Sequence, residues 1–135
     1  MNYDIVVLLS EIFNDAGMNS VIDPGLSNHS TITLNMKDDI PAINIKSEDD
    51  EFWIWAEISE HIPASFSYLS PNLIPVMLNH HESHFHLGQP CLYPINGCLE
   101  LRAQIKDKHL QSSDEFLSML DQFLTILQDY RFVLS

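Results

Sequence analysis

The alternation of apolar and polar positions is clearest over residues 29–58, HSTITLNMKDDIPAINIKSEDDEFWIWAEI, and predicts three consecutive β-strands joined by two acidic turns. In the first run Ile32, Leu34 and Met36 alternate with Thr31, Thr33 and Asn35, the two-residue period of a strand with one buried face. The second sets Ile43 and Ile45 against Asn44 and Lys46 and opens at Pro41, where a missing backbone N–H breaks no ladder. The third turns Phe52, Ile54, Ala56 and Ile58 toward the same core but carries Trp53 and Trp55 on its other face, so it is apolar on both sides. Two indoles so placed need a cover, which another part of the chain, a second subunit or a ligand can supply. The carboxylates of Lys37-Asp38-Asp39 and Ser47-Glu48-Asp49-Asp50 lack the glycine of an EF-hand calcium loop and read as solvated turns.

Helical periodicity appears on either side of this block. Residues 3–16 place Ile5, Leu8, Leu9, Ile12 and Phe13 on one face, and Gly17 is a natural stop. Asp23-Pro24-Gly25 then marks a turn. Within residues 59–82, Ser70-Pro71 reads as an N-cap followed by a first-turn proline, with Leu73, Ile74, Val76, Met77 and Leu78 as apolar positions and Pro75 shortening or bending the helix. Residues 83–106 predict two more strands. Phe85 and Leu87 lead the first, an edge or bulged strand on account of Gly88, Pro90 and Pro94. Leu99, Leu101, Ala103 and Ile105 alternate with Glu100, Arg102 and Gln104 in the second, and Asn96-Gly97 is the hairpin signal between them. Ser112-Ser113-Asp114-Glu115 forms a capping box in which Ser112 and Glu115 satisfy each other's backbone N–H groups. The helix it opens carries Phe116, Met119, Leu120, Phe123, Leu124, Ile126, Leu127 and Tyr130 in one stripe and runs to about Tyr130. The order helix-β-β-β-helix-β-β-helix predicts an α+β fold, helices packed on a twisted antiparallel sheet, in a single domain over residues 1–135.

Composition narrows the function classes. A chain of 135 residues, 45% hydrophobic, can bury about two-thirds of its unfolded surface in one core. The net charge of −13 opposes binding to nucleic acid or to an anionic membrane surface. MNYDIVVLLSEIF has an apolar run but no basic n-region or cleavage site, so it does not read as a signal peptide, and no stretch is long enough to span a bilayer. Cys91 and Cys98 then read as two free thiols of a reducing compartment, and Asn28-His29-Ser30 as a sequon by coincidence.

No phosphate loop, nucleophile elbow, H-E-x-x-H or CxxC is present. His80, His81, His84 and His86, followed by the two cysteines, have metal-ligand residue types, and His80 and His84 would share a face if the preceding helix reached them. That spacing matches no established zinc site and crosses a predicted helix-to-strand boundary, so the run reads as a pH-responsive surface. His29 reads as a structural histidine. The tryptophans carry the stronger signal: a two-sided apolar strand in a small acidic domain suits binding of an extended apolar peptide.

These residues carry a resemblance. HSTITL, then PAINI, then the W-I-W-A run, between an N-terminal and a C-terminal amphipathic helix, resemble the InvB/SpaK type of type III secretion chaperone, closely over residues 20–58 and recognisably over 98–130. The resemblance implies a homodimer in the bacterial cytoplasm, with no cofactor and no covalent chemistry. Such a chaperone binds the N-terminal segment of one or more secreted effectors, keeps it non-globular and presents it to the secretion apparatus. It implies effector contact through Phe13, Ile32, Leu34, Ile43, Ile45, Trp53 and Trp55, and a dimer contact through Leu73, Val76, Met77, Phe85 and Leu87. Pro71, Pro75 and the histidine run depart from the family pattern and bear on the dimer geometry. Two other classes stand beside this one: a metal-dependent enzyme using His80, His84 and His86, and a cytosolic adaptor for a folded partner.

Overall fold

The computed structural model describes residues 31–36, 39–59, 66–79, 85–86 and 90–134, together with Val7 and Glu11. The first predicted helix lies outside the described residues but for those two, both helical. The described elements are β1 (Ile32–Leu34), β2 (Ile43–Glu48), β3 (Glu51–Ser59), α1 (Phe66–Asn79), β4 (Cys91–Ile95), β5 (Cys98–Ile105), a short 3₁₀ turn (Asp107–Leu110) and α2 (Ser113–Leu134). The strands form one antiparallel sheet in the order β1-β2-β3-β5-β4, so the two-sided apolar strand β3 is central and the shortest and the proline-bearing strands lie at the edges. That distribution follows from hydrogen bonding, since a strand with Pro94 inside it cannot donate to neighbours on both sides.

Two hairpin turns fix the register. Glu48 pairs with Glu51, and the intervening Asp49 and Asp50 both have positive φ, 52° and 64°. Ile95 pairs with Cys98 across Asn96 (φ 52°) and Gly97 (φ 77°). Both are two-residue turns of the mirror-image type, whose twist matches that of the strands. The resulting register stacks Ile32, Ile45, Ile54 and Ala103 in one row across the inner face and Leu34, Ile43, Ala56, Leu101 and Leu92 in the next. α2 closes this face with Phe116, Met119, Phe123, Ile126, Leu127 and Tyr130, all buried. Phe85 joins them edge-on to Phe123, with centroids 6.1 Å apart.

Four expectations are corrected. The helix predicted to start at Ser70 already runs from Phe66, so Ser70 is no cap and both Pro71 and Pro75 lie inside it. Both prolines are exposed and one turn apart, on the side of the helix where a freed carbonyl can be hydrated. Phe85 does not lead a strand: it makes an isolated bridge to Ile105, and β4 begins at Cys91, because Phe85 is drawn fully into the core. Leu87 lies outside the described residues. The capping box is one-sided. Ser112 Oγ accepts the Glu115 N–H at 3.2 Å, but the Glu115 carboxylate reaches instead to Nδ1 of the buried His109, 3.2 Å away. Finally, α2 continues past Tyr130 to Leu134, where Val133 and Leu134 still pack on the core.

Candidate binding face of the sheet

With α2 covering one face of the sheet, the alternation of side chains turns the other residues of each strand outward. Strand pairing then aligns Thr33, Asn44, Trp55, Arg102 and Cys91 in one outer row and Lys46, Trp53 and Gln104 in the next. Both tryptophans are half-buried, and among the described residues no helix or strand lies over them. A side chain lies over Trp55: the Arg102 guanidinium is 5.0 Å from its ring centroid and 5.8 Å from that of Tyr93. A cation over an aromatic face is attracted by the ring quadrupole, so this stack holds the guanidinium in place while its edge stays accessible. Arg102 Nη2 donates to Glu100 Oε2 at 3.3 Å, and its Nε–H is buried without an acceptor. Trp53 donates its indole N–H to Glu51 at 3.2 Å, which fixes the ring across the strand.

Two depressions flank Arg102. One, about 320 Å³, is lined by Trp53, His86, Cys91, Tyr93, Ala103 and Gln104, with Arg102 as its wall. The other, about 440 Å³, is lined by Thr31, Lys46, Glu48, Trp53, Trp55 and Arg102. The first is a mostly apolar slot and the second a polar one with two cations, so the face can hold side chains of different character side by side.

The sequence-predicted site residues divide between the faces. Trp53 and Trp55 are on the outer side, which no described helix covers. Ile32, Leu34, Ile43 and Ile45 are at most 3% exposed and lie in one core cluster with the apolar residues of α2, because strand alternation turns them inward. Phe13 lies outside the described residues. Of the expected dimer contacts, Leu73 and Phe85 are buried in the core, Val76 is half-buried and Met77 is exposed. His80, His81 and His84 lie outside the described residues, while His86 is exposed at the rim of the apolar slot. Among the described residues no three His, Cys, Asp or Glu side chains gather where they could hold a metal ion. Cys91 is exposed and Cys98 half-buried, and neither takes part in a disulfide. Among the described residues no helix is long and apolar enough to cross a membrane.

Tyr93, Arg102 and Lys46 are the site residues that reading the sequence missed. Lys46 and Arg102 sit at ordinary polar positions of alternating strands and Tyr93 on the edge strand, and only the pairing of β3 with β2 and β5, and of β5 with β4, brings them beside the indoles.

The fold and family are both matched by known proteins. A chain in the structure of the heterodimeric ExoU–SpcU complex from the type III secretion system of Pseudomonas aeruginosa superposes with a TM-score of 0.62 at 16% identity, over 93% of this chain and 96% of that one. No curated protein sequence matches. The model of the Invasion protein B family matches residues 17–96. This range contains the stretch of close resemblance, continues through the prolines and histidines that depart from the expected pattern, and ends before the more distant resemblance over 98–130. By this match over more than half its length, the chain belongs to the Invasion protein B family.

Proposed function

We propose that the protein is a type III secretion chaperone that binds the N-terminal segment of one or more effectors, keeps it non-globular and presents it to the secretion apparatus. Membership of the Invasion protein B family carries this reading. The shared fold with a chain of a type III secretion complex supports it, as does an outer sheet face whose indoles no described element covers. The work required is binding and not bond chemistry: an extended segment exchanges its own ordering entropy for apolar burial, and affinity rests on a few anchors in pockets. Trp53 and Trp55 are the proposed anchors. The other proposed contacts are Phe13 and, as the support that holds the indoles in register, the core residues Ile32, Leu34, Ile43 and Ile45.

The working form is a cytoplasmic homodimer of single-domain subunits. An exposed apolar stripe on α1 supports a dimer, since Tyr68, Ile74 and Leu78 are 85%, 53% and 65% exposed and Pro71 and Pro75 lie on the same face. Such a stripe on a helix marks an interaction surface. Its inner side, Leu73 with Val76, anchors the helix to the core, leaving Met77 and the outer residues for the partner subunit. Co-purification from the host, with mass by light scattering before and after limited proteolysis, tests both claims. A particle of twice the 15.5 kDa chain mass holding a protected N-terminal fragment of a secreted protein is the expected result. A partner that stays folded while bound would favour an adaptor, and a zinc-loaded monomer without peptide would move the function to the histidines.

A further inference from the structure

Only six of the 135 residues are lysine or arginine, against 19 carboxylates, yet Lys46 and Arg102 line the same depression together with both tryptophans of the chain. Among the described residues, both cations keep capacity for a further anionic partner. Among the described residues Lys46 meets no carboxylate within ion-pair distance, although Glu48 lines the same depression. Among the described residues Arg102 has one acceptor, Glu100 Oε2 at 3.3 Å, against five N–H donors on its guanidinium. Its stacking on Trp55 and Tyr93 already fixes its position, so little further side-chain freedom is lost when a ligand arrives. Immediately across the guanidinium lies the apolar slot of Trp53, Tyr93 and Cys91.

We infer that the outer face reads an extended partner segment in which an acidic side chain neighbours a large apolar one. The carboxylate sits between Lys46 and Arg102, and the apolar side chain fills the slot beyond. This rests on the chaperone reading and adds to it the chemistry of the bound segment. The chain's overall negative charge does not oppose such local pairing, since charges more than about 8 Å apart are largely screened at physiological salt. A carboxylate on a guanidinium makes short, charge-assisted hydrogen bonds that a basic or neutral side chain cannot.

The test is selection of a phage-displayed random decapeptide library on the immobilised full chain, followed by binding of the selected peptides to wild type, Lys46→Gln, Arg102→Gln and Arg102→Lys. Circular dichroism and thermal midpoints establish that each variant is folded. Enrichment of Asp or Glu beside Leu, Ile, Met or Phe is expected, with affinity roughly tenfold lower for Arg102→Gln. Replacing the peptide's acid by its amide should cost about as much on wild type and little more on Arg102→Gln, the signature of a direct pair. Arg102→Lys should retain part of the acid preference, because it keeps the charge and loses the planar fork. Selection without acid preference, enrichment of Lys or Arg, no enrichment at all, or equal binding to Arg102→Gln would each overturn the inference. If a client still co-purifies while peptides ignore Arg102, this inference falls and the chaperone reading stands. If acid-dependent peptide binding holds while no client co-purifies, the chaperone reading falls and the preference of the face remains.

Discussion

Trp53 and Trp55 occupy the same face of one strand but have different surroundings. Trp55 is stacked beneath Arg102, whereas Trp53 borders both depressions and is tied to Glu51. Trp53→Ala should therefore weaken client binding the more, by about 2 kcal/mol if it is a main anchor, with the mass of the dimer unchanged. Calorimetric titration of the purified client segment checks this, and an unchanged affinity would place the contact elsewhere. On the opposite face, Tyr130 is 2% exposed, and burial first, with a coulombic contribution from Cys91 second, pushes its phenol up to about 12. Below about 10, the ordinary tyrosine value, the group is neutral folded or unfolded. Between there and about 12 only the unfolded chain ionises it, so stability falls as pH rises through that window. Urea midpoints at pH 8.5 and 11 for wild type and Tyr130→Phe should show a steeper decline for wild type.

At the scale of elements, turn chemistry carries much of the register. Asn96-Gly97 is well suited to a mirror-image turn, and that hairpin was legible in the sequence for this reason. Asp49-Asp50 adopts the same conformation with two side chains that disfavour positive φ, so the turn there was legible but its type was not. Replacing Asp49-Asp50 by Asn-Gly should raise stability by roughly 0.5–1 kcal/mol, measured as a shift in urea midpoint at constant slope. Nothing lies within 4 Å of a Cβ added at Gly97, so Gly97→Ala should cost only its backbone strain, about 1 kcal/mol. In α2, Ser112→Ala removes the acceptor of the Glu115 N–H and should cost about 1 kcal/mol, read by the same denaturation. The extended start of α1 was not legible, because two internal prolines argue against a helix unless the carbonyls they free can face water.

For the whole molecule, the decisive feature is an asymmetry between a sealed inner face and two surfaces, on the outer sheet and on α1, that no other described element covers. The proposed dimer uses α1. Leu78→Asp, on a residue 65% exposed, should leave the fold intact and shift light-scattering mass from dimer toward monomer. A variant that stays dimeric would remove the stripe from the interface. Because client anchors and the stripe lie on different elements, Trp53→Ala and Leu78→Asp should separate binding from assembly.

The sequence by itself determined the strand periods, the inner and outer sets on β3, the edge character of β4, the Asn-Gly hairpin and the apolar stripe of α2. Each is set by local geometry: a two-residue or a 3.6-residue repeat, or a backbone conformation that few residues accept. Tertiary structure alone decided which apolar residues could meet a partner. Ile32, Leu34, Ile43 and Ile45 look as available in sequence as the tryptophans, but they are buried in one core cluster with the stripe of α2, since packing covers one face of the sheet and not the other. It also decided that Lys46, Tyr93 and Arg102 join Trp53 and Trp55 around two depressions, because cross-strand neighbours are fixed by which strands pair and in what register, and no local pattern encodes that choice.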